Sequence, residues 1–98
     1  MESAYEECLS YELSNAHIHF DRQKPIGIKY KNVDIDCGYK IDLFVNEELI
    51  IELKAVEKIL PIHEAQILTY MKLAKISLGL LINFNSRILT KGIKRFVL

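Results

Sequence analysis

The chain has 98 residues, half of them hydrophobic, which fits one folded domain and excludes a disordered chain. Thirteen basic residues balance thirteen acidic ones, so no global basic field exists, and binding to DNA or RNA would need a local patch. The longest apolar run, Leu78 to Ile82, is too short to span a bilayer, and the acidic start Met1–Glu7 is unlike a signal peptide, so no membrane association is expected.

From Glu2 to about Asn15, apolar Tyr5, Cys8, Leu9 and Leu13 recur at helical spacing, with Glu2, Glu6, Ser10 and Ser14 along a neighbouring stripe. Two extended stretches follow, Ile18 to Arg22 and Ile26 to Tyr30, separated by Pro25. Proline has no N–H to give a ladder, so it predicts a sheet edge or a bulge there. Lys31-Asn32 predicts a turn, and Val33 to Val45 a second strand kinked at Cys37-Gly38. A short loop, Asn46 to Glu48, leads into a third strand from Leu49 to Val56. Pro61 suits the first position of a helix reaching about Ala74. Leu78 to Asn83 reads as a strand covered on both faces, and Ile93 to Leu98 as a final strand. The implied architecture is α/β: one sheet of about four to five strands packed with two main helices, a single domain over residues 1–98. Cys8 and Cys37 make neither a disulfide framework nor a zinc site. They read as small, partly buried apolar residues in a reduced, cytoplasmic setting.

The chemistry falls on the second and third strands. Side chains alternate faces along a strand, so Ile41, Leu43 and Val45 would share one face, matched by Ile51, Leu53 and Ala55. The other face would hold Lys40, Asp42 and Phe44 with Ile50, Glu52 and Lys54. A three-residue loop at Asn46–Glu48 sets Val45 opposite Leu49 and therefore Asp42 opposite Glu52. Directly opposed side chains lie about 4.5–5.5 Å apart at Cβ, and opposed like charges destabilise a sheet. A divalent cation is the natural compensation, since magnesium takes one or two carboxylates plus waters and phosphates. A two-residue loop would instead offset the two acids, and pairing of Asp42 with Lys54 or Lys40 on a solvated face is the other reading of the same spacing.

These residues resemble the PD-(D/E)XK nuclease superfamily, and more closely its bacterial GxxExxY family. The resemblance rests on Glu2-Ser3-Ala4-Tyr5-Glu6, on Asp36-Cys37-Gly38-Tyr39 with Asp42, on Ile51-Glu52-Leu53-Lys54, and on His63, Gln66 and Tyr70. The closing region, Leu80 to Phe84 and then Gly92 to Arg95, also matches. The sequence departs from the family pattern in starting at Met1, without the usual preceding helix and glycine, as expected of a naturally short member, a truncated gene product or a trimmed chain. The resemblance implies a restriction-endonuclease-like core with magnesium or manganese held by Asp42, Glu52 and the Leu53 carbonyl. Lys54 would stabilise charge, Gln66 would face the site from the second helix, and Tyr70, Lys94 and Arg95 would contact substrate. Glu2 or Glu6 would be the first-helix acid. His63 reads otherwise as a helix-capping residue, Tyr70 as core with a bonded hydroxyl, and Lys91, Lys94 and Arg95 as an ordinary basic face. The function implied is metal-dependent hydrolysis of phosphodiester bonds in DNA or RNA. Its rival is an inactive module of the same fold that binds nucleic acid or protein. A chain this small would grip a duplex best as a homodimer.

Overall fold

The computed structural model describes residues 1–98. A helix α1 (Glu2–Asn15) precedes three antiparallel strands, β1 (Phe20–Tyr30), β2 (Val33–Val45) and β3 (Leu49–Lys54). A second helix, α2 (Pro61–Ala74), carries the chain to β4 (Leu78–Asn83), and a short 3-10 turn leads to β5 (Ile93–Val97). The five strands lie in chain order in one sheet, with β3 and β4 parallel and the remaining pairs antiparallel. This mixed sheet with two helices is an α/β fold of the restriction-endonuclease-like kind. No helix is long and apolar enough to cross a membrane.

Each face of the sheet has its own apolar layer. On the α2 side, Ile26, Ile41, Ile50, Leu81 and Phe96 pack with Ile67, Tyr70 and Met71 of the helix. On the α1 side, Leu43, Val45, Ile51, Leu53 and Ile82 pack beneath Leu9 and Leu13. The parallel pair β3–β4 is covered on both faces, which is why both strands read as nearly unbroken apolar runs. α2 starts as its sequence dictates. Pro61 fills the first position, and the Leu60 N–H donates to Nδ1 of His63 at 2.9 Å, so His63 caps the helix.

Several expectations need correction. β1 is one strand running through Pro25, which is tolerated because β1 is a sheet edge. β3 ends at Lys54, two residues earlier than expected. Cys8 and Cys37 are both exposed rather than partly buried. The helix stripe that is buried instead carries Glu6 and Ser10, and Cys37 sits in a bulge. That bulge is the expected kink: the register slips between Ile26–Tyr39 and Gly27–Asp36, leaving Cys37 and Gly38 unpaired, with Gly38 at φ 75°. Beyond it, the β1–β2 hairpin projects from the body as an arm, capped by Lys31 and Asn32 at φ 47° and 64°.

Candidate active site

The loop after β2 sets the register. Asn46 and Glu47 take positive φ, the Glu48 N–H donates to the Val45 carbonyl at 3.0 Å, and Val45 pairs with Leu49. The ladder then runs through Phe44–Ile50 and Leu43–Ile51 and stops. The next pair in that register is Asp42 and Glu52, and here side chains replace the ladder. The Leu53 N–H donates to Oδ2 of Asp42 at 2.9 Å, and the Asp42 N–H donates to Oε1 of Glu52 at 3.2 Å. A residue's N–H and C=O face the same edge of a strand, so the Leu53 carbonyl also points towards this opening.

The opening breaks the pleat. Ile41 packs on the α2 side, whereas Leu43 and Val45 pack on the α1 side, so the three do not share a face as alternation requires. Across from Asp42, Gln23 has φ 50°, and its row is missing from the β1–β2 register. Asp42 thus occupies an interruption in both of its neighbouring ladders.

Electrostatics at the opening are unbalanced. Glu52 is 3% exposed and forms no ion pair. Burial, followed by the charge of Asp42, pushes its carboxyl up to about 8, opposed by the Asp42 N–H and more weakly by Lys54. Lys54 shares the Glu52 face by alternation and makes none of the ion pairs in the molecule. Tyr70 is pushed above its ordinary value mainly by burial, opposed by its hydrogen bond with Gln66, with smaller contributions from the charges of Glu52 and Asp42. Its hydroxyl accepts from Gln66 Nε2 at 2.9 Å. Gln66 therefore addresses Tyr70 rather than either carboxylate.

The first helix reaches the site through a residue the sequence did not mark. Gln23 Nε2 donates to Oε1 of Glu6 at 2.6 Å and to Oδ1 of Asp42 at 3.2 Å. Arg22 holds the same glutamate, with Nε 3.0 Å from Glu6 Oε2, and bonds Glu7 at 2.8 Å. Its guanidinium pKa is raised by those two hydrogen bonds. Glu2 lies apart from this chain and accepts the Ala55 N–H at 3.3 Å. Glu2, Ser3, Glu6, Gln23, Asp42 and Leu53 line a cleft of about 320 Å³ between α1 and the sheet. Gln23 has no motif or spacing that marks it. Only its position across from Asp42 on the paired strand could have pointed to it.

The basic residues expected to contact substrate are dispersed. Lys94 pairs with Glu64 of α2 at 2.9 Å and lies two strands from Glu52 through the Glu52–Leu81–Lys94 row, roughly 10 Å by strand spacing. Arg95 alternates to the opposite face, in the row of Leu80 and Ile51, so Lys94 and Arg95 do not form one patch.

Oxygen donors of this kind suit a hard divalent cation. The Asp42 and Glu52 carboxylates meet where a buried acid lacks a counter-charge. No cluster of three or more His, Cys, Asp or Glu side chains is present, so the remaining positions would fall to water and phosphate, as magnesium favours.

No curated protein and no solved structure matches the chain. The family model of the PD-(D/E)XK nuclease superfamily matches residues 1–96, nearly the whole chain. Nucleases of this superfamily generally use divalent metals, in keeping with the oxygen donors gathered at the ladder's opening. By that match the chain belongs to the PD-(D/E)XK nuclease superfamily.

Proposed function

We propose that this protein is a metal-dependent nuclease that hydrolyses phosphodiester bonds of DNA or RNA, with magnesium or manganese held by Asp42, Glu52 and the Leu53 carbonyl. One observation carries the reading: the β2–β3 ladder opens at Asp42 and Glu52, and their side chains fill the gap. Each oxygen of Asp42 accepts one N–H bond, which leaves lone pairs free for a cation. When bound, the cation supplies Lewis acidity at the phosphoryl group. Lys54, unpaired and beside Glu52, stabilises the negative charge that develops on the phosphoryl oxygens. Glu6, held by Arg22 and Gln23, is the first-helix acid, and it fixes the orientation of Asp42 through Gln23. Glu2 belongs to the α1–β3 join. Gln66 and Tyr70, bonded to each other, brace the α2 side of the site, and Lys94 reaches backbone phosphate once released from Glu64. Within the superfamily, Glu2–Glu6, Asp36–Asp42 and His63–Tyr70 support membership of the GxxExxY family.

Cleavage of plasmid and oligonucleotide substrates with magnesium or manganese tests the proposal, alongside calorimetric titration of each metal. Cleavage that depends on metal and is lost in Asp42→Ala and in Glu52→Ala supports it. Equal activity in wild type and variants overturns it. Carboxylate-dependent metal binding with no cleavage of any substrate would also overturn it, leaving a binding module.

A further inference from the structure

The projecting arm has one polar and one apolar face. Register places Ile28 opposite Ile35 and Tyr30 opposite Val33 on one side, and Lys29 opposite Asp34 and Gly27 opposite Asp36 on the other. The apolar side continues into the α2 face, because Ile26, two residues before Ile28, belongs to the α2-side core. Tyr30 and Val33 are 59% and 60% exposed, and Ile35 is 40% exposed. At the base of the arm, Tyr39 meets Tyr70 with ring centroids 5.6 Å apart, beside a groove of about 490 Å³ that includes Ile62, itself 71% exposed. Neither Asp42 nor Glu52 lines this groove.

We infer that this face docks a second copy of the chain, two arms lying antiparallel about a twofold axis near Ile28 and Ile35. The fit is self-complementary: one chain presents both a projecting apolar tip and an apolar groove. The tip pair Tyr30–Val33 lies four residues along β1 from Ile26–Tyr39, about 13 Å at strand rise. Arms crossed at their midpoint therefore set each tip over the partner's groove, the reciprocal contact that a twofold interface requires. Scaling the exposures by ordinary side-chain areas gives roughly 600 Å² per copy, so the pair would bury about 1,200 Å², the lower bound for a stable interface. Charge argues against an anionic partner. From Gly27 to Asp36 the arm carries Lys29 and Lys31 against Asp34 and Asp36, and its apolar face has no charged side chain between Ile28 and Ile35. Lys31 at the turn has its Nζ over the Tyr30 ring, 5.5 Å from the centroid. The acidic cleft beneath α1 stays open in this arrangement, because its lining comes from α1, Gln23, Asp42 and Leu53 rather than from the arm.

The test is the mass in solution, by size-exclusion chromatography with light scattering and by sedimentation, over a dilution series. Wild type should be a dimer at about 50 µM, with a dissociation constant in the micromolar range. Val33→Asp, at an exposed position, should weaken dimerisation at least tenfold while leaving the circular dichroism spectrum unchanged. In a Cys8→Ser, Cys37→Ser background, Ile35→Cys should form an intermolecular disulfide at least tenfold faster than Asp34→Cys on the opposite face. A monomer at every concentration overturns the proposal, as does a dimer indifferent to Val33→Asp or equal cross-linking at the two positions. So does a monomeric wild type whose binding to a duplex oligonucleotide or to anionic vesicles is lost in Val33→Asp. None of these readouts depends on nuclease activity.

Discussion

Asp42 donates its backbone N–H to the Glu52 carboxylate at 3.2 Å, while that carboxylate resists ionisation first through burial and then through the charge of the Asp42 side chain. The pair is therefore held together by the backbone and driven apart by charge. An arrangement of this kind stores instability that the proposed cation would relieve, and it has consequences for the metal-free protein.

The first is a pH dependence. Glu52 titrates at about 8 when folded and near the ordinary 4.5 when unfolded. Between those values the folded chain holds a proton that the unfolded chain has lost, so stability is full below about 4.5, declines as pH rises through 8 and levels off above it. Metal-free unfolding free energies from urea titrations at pH 4 to 9 should fall across that window, by about a few kcal/mol in total, and the midpoints with them. Saturating magnesium or manganese should flatten the slope. A midpoint that rises over the same range would contradict the assignment.

Glu52→Gln should separate stability from function. A neutral amide of the same shape does not have to ionise in a buried place, so the variant should unfold at higher urea than metal-free wild type at pH 9. It should also bind neither magnesium nor manganese by calorimetry. Loss of both stability and metal binding would mark Glu52 as a packing residue.

Gln23→Ala removes the amide that joins Glu6 to Asp42. Groups that orient a ligand typically account for about 10–100-fold in metal affinity, and a loss in that range is expected here. Glu6→Gln in the same background should add less than it does alone, because the two act through one connection. Calorimetry of the four proteins of that cycle gives the coupling directly. Full additivity would mean that Glu6 acts elsewhere.

Lys54→Met should leave magnesium affinity unchanged or raised, since a nearby positive charge is removed. Its cleavage rate should fall about 10²–10³-fold, the scale for losing one charge-stabilising donor. An equal loss of metal affinity would place Lys54 in ligand organisation instead of catalysis.

Gly92→Ala probes the turn before β5. A Cβ at this position would press on the Asn83 carbonyl oxygen and lie 2.8 Å from Ser86 Cβ, and because the first of these is backbone the turn itself has to shift. A cost of about 2–4 kcal/mol in urea unfolding is expected, against little change for an exposed substitution such as Asp34→Ala.

The elements were legible in the sequence because their punctuation is local. Pro61 begins α2, Asn46–Glu48 is long enough to set the β2–β3 register, and Cys37-Gly38 marks the bulge. That same register brought Asp42 opposite Glu52 on paper. The broken pleat was not legible, since alternation has no term for a carboxylate that bonds a neighbouring strand's backbone, and so Ile41 was assigned to the wrong face. Gln23 and Arg22 were equally hidden. Their importance comes from β1 pairing with β2 beside Asp42, a contact between segments about twenty residues apart. Arg95 was grouped with Lys94 because they adjoin in sequence, which is the spacing that a strand sends to opposite sides.

The residues either side of Asp42 insert into different apolar layers, Ile41 under α2 and Leu43 under α1. This pins the acid from above and below, much as an axle is fixed by bearings at both ends. Trimming either neighbour frees one bearing and should let the carboxylate rotate out of alignment, though neither side chain carries an oxygen donor. On the proposed role of Asp42, ligand geometry is thereby tied to how well both layers are filled, and a modest void on either side of the sheet would become a defect in the chemistry proposed at its centre.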